Sequence, residues 1–243
     1  MKTGKTSLIA CLFAISCSAS AAQSAVCTIK SSVSPEFLNG LHTKYLQYMA
    51  AQLNCELDIF PMPFARRVLS LKSGDIDLMV GLKQLHEEVG FQFLRPSYES
   101  LQSKYYVRKE DAEQFSDEDA FRYATAGVSI DEKGLPVGTR GYFKDIVPVT
   151  LLEQKIGLLI KGRIDTFIHF ESSAMYMIRE MGYENEIVSA PLQIGESLDY
   201  FFAVHDNSPL FARKAELEAI IKDAVLSGQF AKIRAEHEAS LVN

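Results

Sequence analysis

PFARRVLSLKSGDIDLMVGLKQLHEEVGFQFLRPSY, residues 63–98, is the stretch of this sequence that decides its fold. Its first apolar residues recur at helical spacing, at Phe64, Val68 and Leu71. Gly74 ends this predicted helix, and the apolar run at residues 76–80 then predicts a short buried strand. Loops at the carboxyl ends of strands line the ligand crevice of open α/β sheets, so residues 81–88 form a candidate binding loop.

The same alternation of strand and helix extends towards the N-terminus. Residues 27–30 and 57–60 have the composition of short strands. Between them, five apolar residues share one face of a predicted helix: Leu38, Leu41, Tyr45, Met49 and Leu53. A β-α-β-α-β series predicts a mostly parallel sheet with helices on its faces.

A second α/β series follows an acidic, polar stretch at residues 109–119, which we interpret as a boundary. Strands are predicted at residues 125–130, 136–138 and 164–168, and helices end at Gly162 and Gly182. The apolar run at residues 200–204 and a long helix over about residues 208–226 are expected to return to the first part. No internal repeat of fixed period is evident.

The N-terminus has the pattern of a secretory signal peptide. Lys2 and Lys5 form a basic start, residues 7–16 are apolar, and small residues predict cleavage near Ala21 or Ala22. An uncleaved anchor, or a lipoprotein modified at Cys11 or Cys17, remains an alternative. No later run is long and apolar enough for a spanning helix, so we expect no transmembrane segment in the mature chain.

Cleavage would leave two cysteines, Cys27 and Cys55, in an exported protein. A disulfide between them is the expected state, with two buried free thiols as the alternative. Loss of Lys2 and Lys5 would take the formal charge from −6 to −8, because two positive charges are removed. This negative charge argues against nucleic acid or an anionic membrane as a partner.

Several short motifs occur in a specific order along the chain. They are Pro35 with Phe37, LSLKSGDIDLMVG at 69–81, FLRPSY at 93–98, Gly138-Thr139, LIKGRIDTF at 159–167, residues 200–204, Asn207-Ser208-Pro209, and LSGQF at 226–230. Together with the signal peptide, these make the chain resemble the type II extracellular solute-binding proteins, family 3. Members of that family deliver amino acids and related small polar solutes to ABC importers.

The resemblance implies an α/β fold of two lobes, each a mostly parallel sheet flanked by helices. Two hinge crossings would let the lobes close on a ligand. Residues 1–21 would be the signal peptide, residues 22–107 and 199–243 the first lobe, and residues 108–198 the second. It further implies a periplasmic monomer that binds a small polar solute and docks on the membrane subunit of an ABC importer.

Two expected charges of the family's amino-acid site are missing. The arginine that usually holds the ligand carboxylate falls here on Glu87 or Glu88, and the aspartate that usually holds the amino group falls on Phe170. Three explanations stay open. The ligand is not a zwitterionic amino acid, this member has lost tight binding, or a guanidinium comes from elsewhere, with Arg66, Arg67, Arg95 and Arg140 as candidates.

Nine residues are the predicted ligand-binding set: Phe37, Arg66, Gly81, Lys83, Glu87, Thr139, Arg140, Phe170 and Glu171. Thr139 and Arg140 lie in a glycine-bounded loop that suits an anion, although a plain turn is the alternative. Phe170 is interpreted either as a face for an apolar or cationic ligand group or as a hinge-core residue. Arg66 and Arg67 occupy a first helical turn, so either one faces the crevice or both form a solvated pair.

The sequence gives little support for catalysis. Its five histidines are scattered, and His86-Glu87-Glu88 lacks the second histidine of a zinc helix. We find neither a nucleophile elbow nor a dinucleotide-binding glycine pattern. We therefore predict a binding protein without metal or cofactor. A ligand sensor that acts on a receptor, and a dehydratase-like enzyme on the same fold, are the alternatives.

Overall fold

A computed structural model describes residues 27–83, 89–129, 143–192 and 197–240. Ten strands occur in this part of the chain. They are β1 (Thr28–Val33), β2 (Glu56–Pro61), β3 (Leu78–Lys83), β4 (Phe91–Leu101), β5 (Lys104–Arg108), β6 (Thr125–Ser129), β7 (Asp145–Val149), β8 (Thr166–His169), β9 (Ile187–Ser189) and β10 (Leu198–His205).

Helices separate most of these strands. The α-helices are α1 (Leu41–Leu53), α2 (Phe64–Ser73), α3 (Glu118–Tyr123), α4 (Leu152–Ile160), α5 (Glu171–Glu180), α6 (Lys214–Leu226) and α7 (Gln229–Ser240). Short 3-10 helices lie at Pro35–Phe37, Lys109–Ser116 and Pro209–Arg213.

The strands form two five-stranded sheets. The first has the order β2-β1-β3-β10-β4 and, with α1, α2, α6 and α7, makes the first lobe. The second has the order β7-β6-β8-β5-β9 and, with α3, α4 and α5, makes the second lobe. In each sheet three neighbouring strands are parallel, whereas β10 and β5 run antiparallel to their neighbours. The predicted two-lobed α/β fold is confirmed, although each sheet is mixed, with two parallel and two antiparallel strand pairs.

The chain first passes between the sheets in the short connection from β4 to β5. Strand β5 pairs with β8 and β9, which both belong to the second sheet. A division after residue 107 would assign most of β5 to the first lobe, whereas its hydrogen bonds place it in the second. The passage therefore falls between Leu101 and Lys104.

Both lobes use the same four-residue motif, G-x-I-D, to enter their central parallel strand. It occupies residues 74–77 before β3 and 162–165 before β8. The two glycines have φ of +83° and +63°, a left-handed conformation that glycine adopts without strain. This conformation ends α2 and the helical turn that follows α4. Both isoleucines are buried. Each aspartate accepts a hydrogen bond from a backbone N–H near or at the start of a neighbouring strand, Lys30 (2.9 Å) or Thr125 (2.8 Å).

Each sheet is covered by apolar side chains on both faces. The largest cluster of the first lobe lies under α1 and α6 and contains the aromatic rings of Tyr45, Tyr98, Phe202 and Phe230. The second lobe has one cluster around Tyr105, Phe121 and Phe143, and another around Tyr106, Phe167 and Ile156. Burial of this apolar surface, at roughly 25 cal/mol per Å², is the main force that holds each lobe together.

The predicted disulfide is confirmed. Cys27, immediately before β1, is bonded to Cys55, immediately before β2. The bridge ties the first strand to the connection between α1 and β2. In the part of the chain that the structure describes, no helix has the length and apolar character needed to cross a membrane.

Candidate functional site

The two lobes meet at the carboxyl ends of their parallel strands, where Phe170 of the second lobe reaches the first. Phe170 follows β8 directly and packs edge-on against Tyr200 of β10, with ring centroids 5.2 Å apart. Its ring is half-buried and also packs against the main apolar cluster of the first lobe. This contact supports the interpretation of Phe170 as a residue of the hinge core.

A second contact between the lobes involves the 3-10 turn after β1. The Glu36 carboxylate accepts hydrogen bonds from the backbone N–H groups of Leu152 (3.3 Å) and Glu153 (3.1 Å). These donors belong to the first turn of α4, where N–H groups lack partners within the helix. A negative charge there is also favoured by the helix dipole. Glu36 of one lobe therefore caps a helix of the other.

Phe37, a predicted site residue, lies beside this cap. Its half-buried ring packs against the second-lobe cluster and stands 6.2 Å from the ring of Tyr176 on α5. Phe37 thus contributes to the apolar contact between the lobes at this edge of the crevice.

Arg67 is the buried cation of the first lobe. Only 4% of its surface is exposed. Its Nε donates to the carbonyl of Ser32 on β1 (3.1 Å) and its Nη2 to the carbonyl of Val80 on β3 (3.2 Å). No carboxylate of the described residues pairs with it. Burial lowers the pKa of Arg67 to about 10, so the guanidinium still carries its charge at neutral pH.

Arg66, the predicted site residue next to Arg67, is exposed on α2. Neighbouring helical residues are rotated by about 100°, so only one of the two can face the sheet. The structure therefore favours Arg67 over Arg66 as the guanidinium near the crevice. Arg95 is exposed as well, with its guanidinium 5.4 Å from the ring centroid of Phe201.

Gly81 allows a close approach between β3 and α1. It has φ +89°, and a Cβ placed there would lie 2.5 Å from Cε1 of His42. The imidazole in the first turn of α1 therefore rests directly against the backbone of Gly81. Burial, together with the positive charges of Arg67 and Arg234, lowers the pKa of His42 to about 3. His42 is consequently neutral under physiological conditions.

Lys155 is the buried cation of the second lobe, with 1% of its surface exposed. Its Nζ donates to Oγ of Ser129 at the end of β6 (2.8 Å) and to the carbonyl of Ile168 on β8 (2.9 Å). The next residue, His169, has its pKa lowered well below the usual range, first by burial and then by the charges of Lys155 and Lys83. A cation of each lobe therefore lowers the pKa of the same imidazole.

Lys83, a predicted site residue, is the last residue of β3 and is half-buried. Its Nζ lies 5.9 Å from the ring centroid of Tyr200, the ring that also contacts Phe170. Lys83, Tyr200 and Phe170 therefore lie together where the lobes meet.

The two-lobed fold matches known structures. The chain superposes on an amino acid ABC transporter substrate-binding protein of Streptococcus pneumoniae bound to L-arginine, with a TM-score of 0.75 and 17% identity over 89% of this chain and 96% of that one. It also superposes on the GluR0 ligand-binding core with L-glutamate (TM-score 0.72, 15% identity, 87% and 98% coverage). The chain also superposes on a histidine kinase sensor domain similar to periplasmic binding proteins, with a TM-score of 0.69 and 19% identity over 87% of this chain and 95% of that one.

The chain has the two-lobed fold of the periplasmic binding proteins. At these identities the likeness concerns the fold. No family model matches the chain, and no curated protein matches it in sequence.

In this periplasmic-binding-protein fold, the remaining predicted site residues divide into two groups. Glu87, Thr139 and Arg140 lie outside the described residues. Glu171 is exposed at the first position of α5. The pKa of Tyr106 is raised mainly by burial of its hydroxyl and also by the nearby charge of Glu171. The described residues contain no group of three or more histidine, cysteine or acidic side chains that suits a metal ion.

The sequence analysis did not single out Lys155 or His42 as site residues, and it left Arg67 as one of four candidates. A signal for two of these residues was present. Arg67 and Lys155 each occupy the i+3 position of a helical face whose i, i+4 and i+7 positions are apolar. Those positions are Phe64, Val68 and Leu71 in α2, and Leu152, Ile156 and Leu159 in α4. A cation inside such a face is expected to be buried.

Proposed function

We propose that this chain is a small-molecule binding protein that holds a polar solute between its two lobes. The observation that supports it most is the convergence of residues from both lobes at the carboxyl ends of the parallel strands. Arg67 and Lys83 approach from the first lobe, and Lys155 and Phe170 approach from the second. Ligands of open α/β sheets bind at this edge. A cleft lined from two sides removes water from a small solute while offering it directed hydrogen bonds.

We further propose that the protein is exported and delivers its solute to the membrane subunit of an ABC importer. The signal-peptide pattern of residues 1–21 and the Cys27–Cys55 disulfide, which is typical of oxidising compartments, support export. Three of the similar structures are named as substrate-binding proteins of amino acid ABC transporters. A periplasmic monomer of two lobes, with the first passage between them at residues 101–104, is part of this proposal.

A receptor-coupled ligand sensor is the second candidate function. It is favoured by the similarity to a histidine kinase sensor domain and to the BvgS VFT2 domain of Bordetella pertussis. Binding and lobe closure would be common to both roles. The two roles differ in what recognises the closed form, an importer or a receptor.

A ligand screen by thermal shift tests the shared part of the proposal. The panel contains amino acids, amines, polyamines, dicarboxylates and sugars, and each compound is added to the purified protein. A ligand present at 100 times its dissociation constant adds roughly 2.7 kcal/mol to the free energy of unfolding, which raises the melting temperature by several degrees. Small-angle scattering of the same complex is expected to show a smaller radius of gyration. If no compound shifts melting and the scattering never changes, the binding proposal is wrong.

A further inference from the structure

The guanidinium of Arg213 lies directly against the Cys27–Cys55 disulfide. Its Nη1 is 3.7 Å from Sγ of Cys27 and 3.5 Å from Sγ of Cys55, and it donates to both sulfurs. Arg213 ends the 3-10 helix that leads into α6, and it follows the two cysteines by 186 and 158 residues in the sequence. The contact is therefore a product of folding, because nothing local in the chain brings this cation to the sulfurs.

Neighbouring groups hold the guanidinium in this position. The Glu216 carboxylate accepts from Nε (2.7 Å) and Nη2 (2.9 Å), and the carbonyl of Leu53 accepts from Nη2 (3.2 Å). A guanidinium has five N–H donors, so these three bonds leave the two donors of Nη1, one for each sulfur. The hydrogen bonds with each other raise the pKa of Arg213 and lower the pKa of Glu216, so both groups are charged at neutral pH.

A cation in this place favours the reduced form of the bridge over the oxidised form. A disulfide sulfur is neutral and a weak acceptor, whereas a thiolate carries a full charge and accepts stronger hydrogen bonds. An arginine beside a cysteine lowers the pKa of its thiol. A disulfide whose reduced form is stabilised in this way is easier to reduce. Both cysteines are half-buried at the border of the main cluster of the first lobe, so the bridge is not enclosed in the core.

We propose that the Cys27–Cys55 bridge is an exchangeable disulfide that dithiols open, and that Arg213 is the positioning residue that favours its reduced form. This inference goes beyond solute binding and does not depend on which solute is bound. Exchange at this site changes the stability of the first lobe, because the bridge joins the segments that enter β1 and β2.

The exchange has two steps, and the dithiol supplies both electrons. A thiolate of the dithiol attacks one sulfur of the bridge, the S–S bond breaks, and the other cysteine leaves as a thiolate. Either cysteine can leave in this way, since Nη1 of Arg213 contacts both sulfurs. The second thiolate of the dithiol then attacks the mixed disulfide and releases the remaining cysteine. The dithiol becomes a disulfide; one of its two protons passes to a cysteine and the other to solvent, because one cysteine stays a thiolate beside Arg213.

The test measures the reduction equilibrium of the bridge in the purified protein. Samples equilibrate with mixtures of reduced and oxidised dithiothreitol, free thiols are trapped by alkylation, and mass spectrometry gives the reduced fraction. The variants are Arg213→Met and Arg213→Lys. Lys214→Met is the matched control, because this neighbouring lysine pairs with Glu218. In any preparation that retains the N-terminus, Cys11 and Cys17 are replaced with serine in every variant. Circular dichroism checks that the oxidised and reduced forms are folded.

We expect Arg213→Met to lower the equilibrium constant for reduction about 10-fold, which is about 30 mV in reduction potential. The effect is limited because the Arg213 side chain is 33% exposed and also pairs with Glu216. Arg213→Lys keeps the charge with fewer donors, so we expect a decrease of about threefold. Lys214→Met should stay within about 1.5-fold of wild type. A side chain that stabilised the oxidised and reduced forms equally would leave this constant unchanged, so the measurement separates redox control from a structural role.

Three results would overturn the inference. The first is a decrease of less than about twofold, or any increase, in the equilibrium constant for Arg213→Met; if that variant does not fold, the same limit applies to Arg213→Lys. The second is a wild-type bridge that dithiothreitol opens only in the presence of denaturant. The third is a reduced wild-type protein that is unfolded, since Arg213 would then have no thiolate beside it. None of these results bears on solute binding, which the thermal-shift screen tests separately.

Discussion

Replacing Glu36 with alanine is expected to weaken ligand binding by making lobe closure less favourable. The Glu36 carboxylate accepts two hydrogen bonds from the first turn of α4, at 3.3 and 3.1 Å, and these bonds join one lobe to the other. Helix caps of this kind are worth about 0.5–2 kcal/mol, and a charge at a helix N-terminus about 0.3–1 kcal/mol. Both distances are long and the side chain is only half-buried, so we expect a total of about 1–2 kcal/mol.

Because the bonds join the two lobes, we expect their loss to disfavour the closed form. A loss of 1–2 kcal/mol raises the dissociation constant about 5–30-fold. Calorimetry with a compound identified by the thermal screen measures this change, and small-angle scattering reports the ligand-free dimensions. Glu36→Gln keeps one acceptor oxygen without the charge and is expected to fall between wild type and Glu36→Ala.

The matched control is Glu153→Ala, which removes an exposed carboxylate from the same helical turn without touching the contact between the lobes. Its ligand affinity is expected to remain within twofold of wild type. If Glu36→Ala also leaves the affinity within twofold, the contact does not stabilise the closed form and the reasoning above is refuted.

Three further predictions concern stability. Replacing both Cys27 and Cys55 with serine opens a bridge across a sequence separation of 28 and is expected to lower the free energy of unfolding by about 3–4 kcal/mol in urea titrations. Dithiothreitol should reduce wild-type stability similarly and leave the variant unchanged. Gly81→Ala is expected to cost about 1–3 kcal/mol, because φ is +89° and the new methyl meets His42; thermal melting checks this. The pKa of His42 is about 3 when folded and near 6.5 when unfolded, so its contribution to stability is complete above about pH 6.5 and is lost as pH falls towards 3. Wild type should therefore lose more stability than His42→Gln between pH 7 and pH 5 in urea titrations, and equal losses would contradict the depressed pKa.

The architecture was predictable from the sequence because the signals that end one element and begin the next are local. Gly74 and Gly162 end helices, and a buried isoleucine two residues after each glycine comes just before the next strand. Strand β7 was not predicted. It lies at the edge of its sheet, contains Pro148 and has one fully buried residue, Val149, so its apolar pattern is weak. The predicted strand at residues 136–138 lies outside the described residues.

The candidate site was harder to predict from the sequence, because a shift of one residue along a helix changes whether a side chain faces the sheet or the solvent. Arg66 and Arg67 are adjacent and chemically identical, yet only the second is buried. Lysine side chains are ordinarily solvated, whereas Lys155 lies among Leu152, Ile156 and Leu159 and is buried. Arg67 and Lys155 are each the fourth residue of a helix and bond to two strands of their sheet, an equivalence that becomes visible only when the two sheets are compared. The sequence has no repeat of fixed period, because the interval between matching residues is 88 for the cations and 97 for the serines at the ends of β1 and β6.

The position of β10 has a consequence for the order in which the two lobes fold during synthesis. This strand lies between β3 and β4, although it follows them by about a hundred residues in the chain. The second sheet, by contrast, is contained in one continuous segment, from Lys104 to Ser189. The N-terminal part therefore cannot assemble its sheet until nearly the whole polypeptide is available, whereas the middle segment has all its strands earlier. Pairings so distant in sequence form slowly, so we expect the first lobe to complete its sheet after the second.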